Sequence, residues 1–183
     1  KRLGDPAAAK KAKIAFGYVQ AAGAGAGMLA FGPLSARWGS KRTFVLMHLG
    51  ALAATPLACW VPWMLSSPGA HAPGADGALP AMHGSYVALL VLLPVFAFFA
   101  QSIHAGYAVY FPTLFPTHLR STGAGFCFNT GRILASPVLF WLSPWMKSTW
   151  DLRTAITCLG GFFLFGVVIL KFLPETQGED LPE

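Results

Sequence analysis

Five stretches of this 183-residue chain are apolar for about 20 residues each, the length an α-helix needs to cross the hydrocarbon core of a bilayer. They run from Ile14 to Ser35, Phe44 to Met64, Tyr86 to Phe111, Thr122 to Trp145 and Thr154 to Phe172. In lipid every backbone N–H and C=O must find its partner inside the protein, so such stretches fold as helices. The expected fold class is therefore an all-α membrane protein with five transmembrane helices. Charged residues make up only 11% of the chain and hydrophobic residues 55%, against about 25% charged in an ordinary soluble domain. Trp60, Trp63, Trp141, Trp145 and Trp150 fall at or near the ends of the stretches, where an indole keeps its ring among the headgroups and its N–H wet.

The net charge of +6 does not indicate nucleic acid as a partner. The basic residues sit in short clusters between apolar runs and form no stripe with interleaved aromatics. Cys59, Cys127 and Cys158 share no metal or redox spacing and read as small buried hydrophobes. Residues 65–85 are rich in glycine, proline and alanine, which predicts a flexible external loop. His71 and His83 in that loop have only Asp76 as an acidic neighbour, so no metal site is expected. The chain begins at Lys1 with a charged, alanine-rich segment that has no signal-peptide core, and it reads as a piece of a longer protein.

Three patterns inside the apolar stretches carry chemistry. In the first stretch Gln20, Gly23, Gly27 and Ala30 share one helical face, and small residues at this spacing let two helix backbones approach closely. That face serves either as a packing seam or as a sliding interface. In the third, Pro94 is expected to bend the helix, and Gln101, His104 and Tyr107 follow at three-residue steps. His104 is the titratable group best placed to carry a proton, with a packing role as the alternative. In the fourth, Thr122, Gly125, Asn129, Arg132 and Ser136 recur at i, i+3, i+7, i+10 and i+14 and face one way. Counted from Thr122, Arg132 lies about 15 Å into the membrane at 1.5 Å per residue. A cation at that depth costs at least about 2.5–3.5 kcal/mol unless it meets a partner, a carbonyl or a water-filled cavity. Arg132 is thus the leading candidate for binding an anionic substrate group, and snorkelling to the surface is the alternative. His48, nearer a stretch end, is a weaker candidate. None of the five stretches contains an aspartate or glutamate.

No nucleophile elbow, zinc-helix motif, phosphate-cradling lysine loop or dinucleotide glycine fingerprint occurs, so neither an enzyme nor a cofactor is expected.

The segment Gly32 to Arg42, GPLSARWGSKR, resembles the loop of the major facilitator superfamily usually written G-x-x-x-D-R-x-G-R-R, with Gly32, Arg37, Gly39, Lys41 and Arg42 matching. Ala36 stands where that family has its aspartate. The stretch Tyr110 to Arg132 is similar to the entry into the eleventh helix of metabolite and proton symporters, including carriers of sialic acid and carboxylates. The tail LPETQGEDLPE, Leu173 to Glu183, resembles the P-E-T-x-G tail of sugar porters and those symporters. The resemblance implies helices eight to twelve of a twelve-helix transporter, with residues 37–42, 112–121 and the tail 173–183 cytoplasmic. Positive charge alone leaves the orientation tied. It also implies that the amino-terminal half of the transporter is a missing partner, and that the first and fourth stretches face it.

The resulting expectation is secondary transport of a small polar metabolite, a carboxylate or sugar acid, by proton symport with alternating access in the cell (plasma or inner) membrane. Its substrate-binding candidates are Arg132, Asn129, Gln101, His104, Gln20 and Tyr107. Gly32, Arg37, Gly39, Lys41 and Arg42 form the candidate gating loop, and His104 is the candidate for proton coupling. A neutral sugar porter is the first alternative, because Gln20, Gln101 and Asn129 can bind hydroxyls. A non-transporting membrane scaffold or sensor of the same fold is the second.

Overall fold

The computed structural model describes residues 10–65 and 82–175, and every regular element among them is helical. Helix α1 is Lys10–Trp38, with a wide turn over Lys13–Val19. Helix α2 is Ser40–Met64 and α3 is Met82–Tyr110, which runs into a tight 3-10 turn at Phe111–Leu114. Helix α4 is Arg120–Thr149, and the last rod consists of α5, Leu152–Gly160, and α6, Phe162–Leu170. Most of the 65–85 loop and the tail from residue 176 onward, with His71 and Asp76, lie outside the described residues.

Four segments are long and apolar enough to span a membrane: Lys10–Trp38, Ser40–Met64, Ser85–Leu114 and Leu152–Leu170. The fifth expected span, α4, is long enough at 30 residues but falls short in apolarity. The cause is the polar stripe itself, together with Ser121, Thr130, Ser143 and the glycines that accompany it. From residue 131 to 137 every residue of α4 is exposed, as are Phe140 and Trp141, and among the helical elements it packs chiefly against the 3-10 turn and α5.

The segment from Gly32 to Arg42 is not an open loop. Both helices extend into it, and only Gly39 interrupts them. Its φ of 91° belongs to a region that L side chains rarely adopt, so the reversal rests on one glycine. Gly32 lies inside α1, exposed, where a β-carbon would meet nothing, and it contributes nothing to the turn.

The glycine face of α1 packs inside the bundle, against α3. A β-carbon on Gly23 would collide with the Pro94 backbone, and one on Gly27 with the carbonyl of Phe98. Ser102 of α3 reaches across this seam, its hydroxyl 2.6 Å from the Gly27 carbonyl and 2.7 Å from that of Phe98. A single hydroxyl proton shared between two carbonyls stitches helices whose backbones already touch. The expected placement of this face toward a missing half is thereby corrected: the face is a packing seam within the chain. Helix α2 closes the other side of α3, with Gly50 against the Phe99 ring and Gly106 against Phe31 and Phe44. Phe31, Phe44, Met47, Ala51, Ile103, Tyr110 and Leu170 form the core where α1, α2, α3 and α6 meet. The last rod is not one smooth helix, because Gly160 and Gly161 divide it. Gly160 lets α5 lie against Thr55, and Gly166 lets α6 lie against His48.

Candidate functional site

Because α4 leans away from the other helices, a cavity of about 470 Å³ opens between α2, α3, α4 and α6. His104 and Tyr107 from α3, Arg132 from α4 and His48 from α2 supply its polar groups. Phe111, Phe128 and Ile169 are among its apolar walls, and among the described residues no carboxylate lines it. The Arg132 guanidinium lies 5.7 Å from the centre of the Phe128 ring, a cation–π contact, and among the described residues its N–H donors have no hydrogen-bond partner and can take a planar anion. Tyr107 is held by stacking on Phe111, with ring centres 5.2 Å apart and planes within 9°. The His104 ring stands edge-on to Tyr107 at 6.4 Å. An aromatic-walled pocket with one permanent cation, two imidazoles and, among the described residues, no negative charge is suited to an anionic ligand with an apolar or ring-shaped body.

His48 is the residue that sequence reasoning undervalued. Helix α2 begins at Ser40, so His48 lies about 12 Å along it at 1.5 Å per residue. Its Nδ1 is 2.8 Å from the carbonyl oxygen of Phe44 and must therefore carry the proton. In the neutral ring Nε2 is then the acceptor. No feature of the sequence pairs His48 with Gly166, although a β-carbon at Gly166 would run into the His48 ring.

The remaining candidates do not join this cavity. Gln20 and Gln101 face each other across a second cleft, of about 310 Å³, between α1 and α3. The two sites are nevertheless neighbours, because Gln101 and His104 are three residues apart on α3, about 4.5 Å of helix rise. Asn129 lines an open groove on the other side of α4, and its amide nitrogen donates to the Gly125 carbonyl one turn back at 2.8 Å. Ser136 likewise donates to the Arg132 carbonyl at 2.7 Å. Of the polar stripe, then, only Arg132 reaches the cavity, and it borders the groove as well.

At the end of the bundle nearest Gly39, Arg37 is exposed in the last turn of α1, where a cation complements the helix dipole. Lys41 and Arg42 occupy the first turn of α2, the end at which a cation is unfavourable. Glu175 from the tail offsets this. Its two carboxylate oxygens accept from the backbone N–H groups of Ser40 and Lys41, each at 3.1 Å, while the Ser35 and Ser40 hydroxyls pair at 3.0 Å. Tyr110 donates to the Pro174 carbonyl at 2.6 Å and fixes the segment that presents Glu175. Replacing Glu175 with alanine leaves two helix-terminal donors unsatisfied and is expected to cost about 1 kcal/mol. A detergent-solubilised preparation should show this as a fall of roughly 3 °C in Tm; an unchanged Tm would mean that the tail does not cap α2.

At the opposite end, Arg153 lies 4.5 Å from the Trp63 ring and 5.8 Å from Trp60, and it donates Nε–H to Asp151 at 2.7 Å. That bond holds the exposed Asp151 carboxyl below its ordinary range. Trp60 in turn donates to the Thr157 hydroxyl at 3.1 Å, so α2 and α5 are tied at this end. Among the described residues no three histidine, cysteine or acidic side chains gather as a metal site.

A family model described as sugar (and other) transporter matches residues 13–183. Comparison with curated proteins gives no match, and comparison with solved structures gives none.

Proposed function

Because the chain belongs to the sugar (and other) transporter family of the major facilitator superfamily, a family of transporters and not of enzymes, we propose that the intact protein carries a small anionic metabolite, a carboxylate or sugar acid, by proton symport. The chain is a multi-pass membrane protein. In this reading its five spans, with α4 as the fourth, are helices eight to twelve of twelve, and the amino-terminal half of the same transporter completes the substrate path. The two halves rock about a midplane site in the plasma or inner membrane. The reading is supported above all by one observation: Arg132 opens on a cavity that holds His48 and His104 and, among the described residues, no carboxylate. Arg132 takes the carboxylate of the substrate, Tyr107 and Phe128 pack against its body, and His104 takes up the co-transported proton.

The cleft between Gln20 and Gln101 favours a second reading, a neutral sugar porter, since two amides offer donors and acceptors to hydroxyl groups. Cys127 lines the Arg132 cavity and distinguishes the two readings. In the intact protein with its other cysteines replaced, a labelled maleimide should react with Cys127 several-fold more slowly when a sugar acid such as glucuronate is present. Glucose at the same concentration should give no protection. Protection by glucose alone would favour the sugar reading, and protection by neither, in protein that still binds a partner, the non-transporting scaffold.

A further inference from the structure

Between α2 and α6, sharing Leu170 with the Arg132 cavity, a groove of about 530 Å³ combines two chemistries. At its mouth stand Lys41, Arg42 and Lys171, the first two in the opening turn of α2 and the third just beyond the last residue of α6. Below them the floor is entirely apolar. Val45, Leu46 and Leu49 continue the face of Arg42 at i+3, i+4 and i+7, and Val167 and Leu170 face them from α6. None of the three cations forms an ion pair among the described residues. The nearby Glu175 carboxylate is directed to the backbone N–H groups of Ser40 and Lys41. Three cations gathered at one end of the bundle are mutually repulsive, and two of them sit at the unfavourable end of a helix dipole.

We propose that this groove binds one anionic phospholipid, its phosphate held by Lys41, Arg42 and Lys171 and one acyl chain lying along Val45, Leu46 and Leu49. Charge complementarity calls for an anion, and the apolar floor calls for a lipid rather than a soluble phosphate. From Arg42 to Leu49 the floor runs about 10 Å along α2, deep enough to cover the upper part of an acyl chain. Basic pockets between spanning helices, with the charges level with the headgroups, are the form in which such lipids are recognised. The proposal rests on α2 and the rod of α5 and α6 spanning the membrane and not on what the protein transports.

Native mass spectrometry of the intact protein in detergent tests it, by titration with phosphatidylglycerol or phosphatidylcholine of the same acyl composition. Phosphatidylglycerol should be retained preferentially. Its affinity should fall roughly fivefold in Lys171→Gln and twentyfold or more in Arg42→Gln/Lys171→Gln. Lys10→Gln/Lys13→Gln, which removes the same charge at the far end of the bundle, should change it less than twofold. Lys171 is exposed beyond a helix end, so its single variant remains informative if the double one does not fold. Equal retention of both lipids, or an equal loss in the far-end variant, would overturn the proposal. So would displacement of the lipid by millimolar inorganic phosphate, which would mean that the cations hold phosphate without help from the apolar floor. Because the assay involves no transport, its failure leaves the transport reading intact, and failure of transport leaves this site intact.

Discussion

Gly27→Leu should leave little folded protein. The leucine β-carbon would land on the Phe98 carbonyl, part of a helix backbone that cannot swing aside as a flexible side chain can. To accommodate it α1 and α3 must separate along their whole seam, which also stretches the Ser102 hydroxyl away from the Gly27 carbonyl. The expected cost is about 3 kcal/mol or more, at the upper end of overpacking penalties. Size-exclusion profiles of detergent extracts should show aggregate or no peak. Gly25→Ala, one step round the same helix where a β-carbon meets nothing, should instead be neutral or stabilise by up to about 1 kcal/mol. Equal tolerance of both changes would mean that the seam is not closed in the membrane.

Arg132→Gln should reduce gradient-driven uptake of a carboxylate substrate roughly tenfold to a hundredfold at subsaturating concentration. That range corresponds to the loss of about 1.5–3 kcal/mol for a hydrogen bond to a charged group. Arg132→Lys keeps the charge but loses the planar fork, so its uptake should fall in between. Lys13→Gln, exposed on α1 far from the cavity, should transport normally. Uptake that survives Arg132→Gln unchanged, in protein inserted at wild-type levels, would make the arginine a structural residue stacked on Phe128.

The apolar stretches were legible because the membrane imposes a length on them, and the chain's long helices lie over them. Helix ends were less legible. Nothing in GPLSARWGSKR tells a reader that Gly39 alone turns the chain while Gly32 stays helical, since that depends on backbone angles and not on residue type. Helix α2 likewise starts four residues before its apolar stretch, at Ser40. Helical periodicity identifies a face but not its partner. Gly23 and Gly27 were recognised as a close-approach face, yet only the structure pairs them with Pro94 and Phe98. The stripe on α4 shows the same limit. Asn129 and Ser136 share a face with Arg132, but short polar side chains in a helix bond back to their own carbonyls, and only the long arginine reaches the cavity. Gln20 and Gln101, far apart in sequence, meet across α1 and α3 in a cleft that neither position announces alone.

The central claim, an anion carrier driven by protons, is tested most directly by uptake into proteoliposomes containing the intact protein. Radiolabelled glucuronate and glucose would be compared at equal concentration, with and without an inward proton gradient. The account predicts that glucuronate accumulates above equilibrium only when the gradient is present and that glucose does not enter. Accumulation of glucose with glucuronate excluded would contradict it and assign substrate recognition to the Gln20–Gln101 cleft.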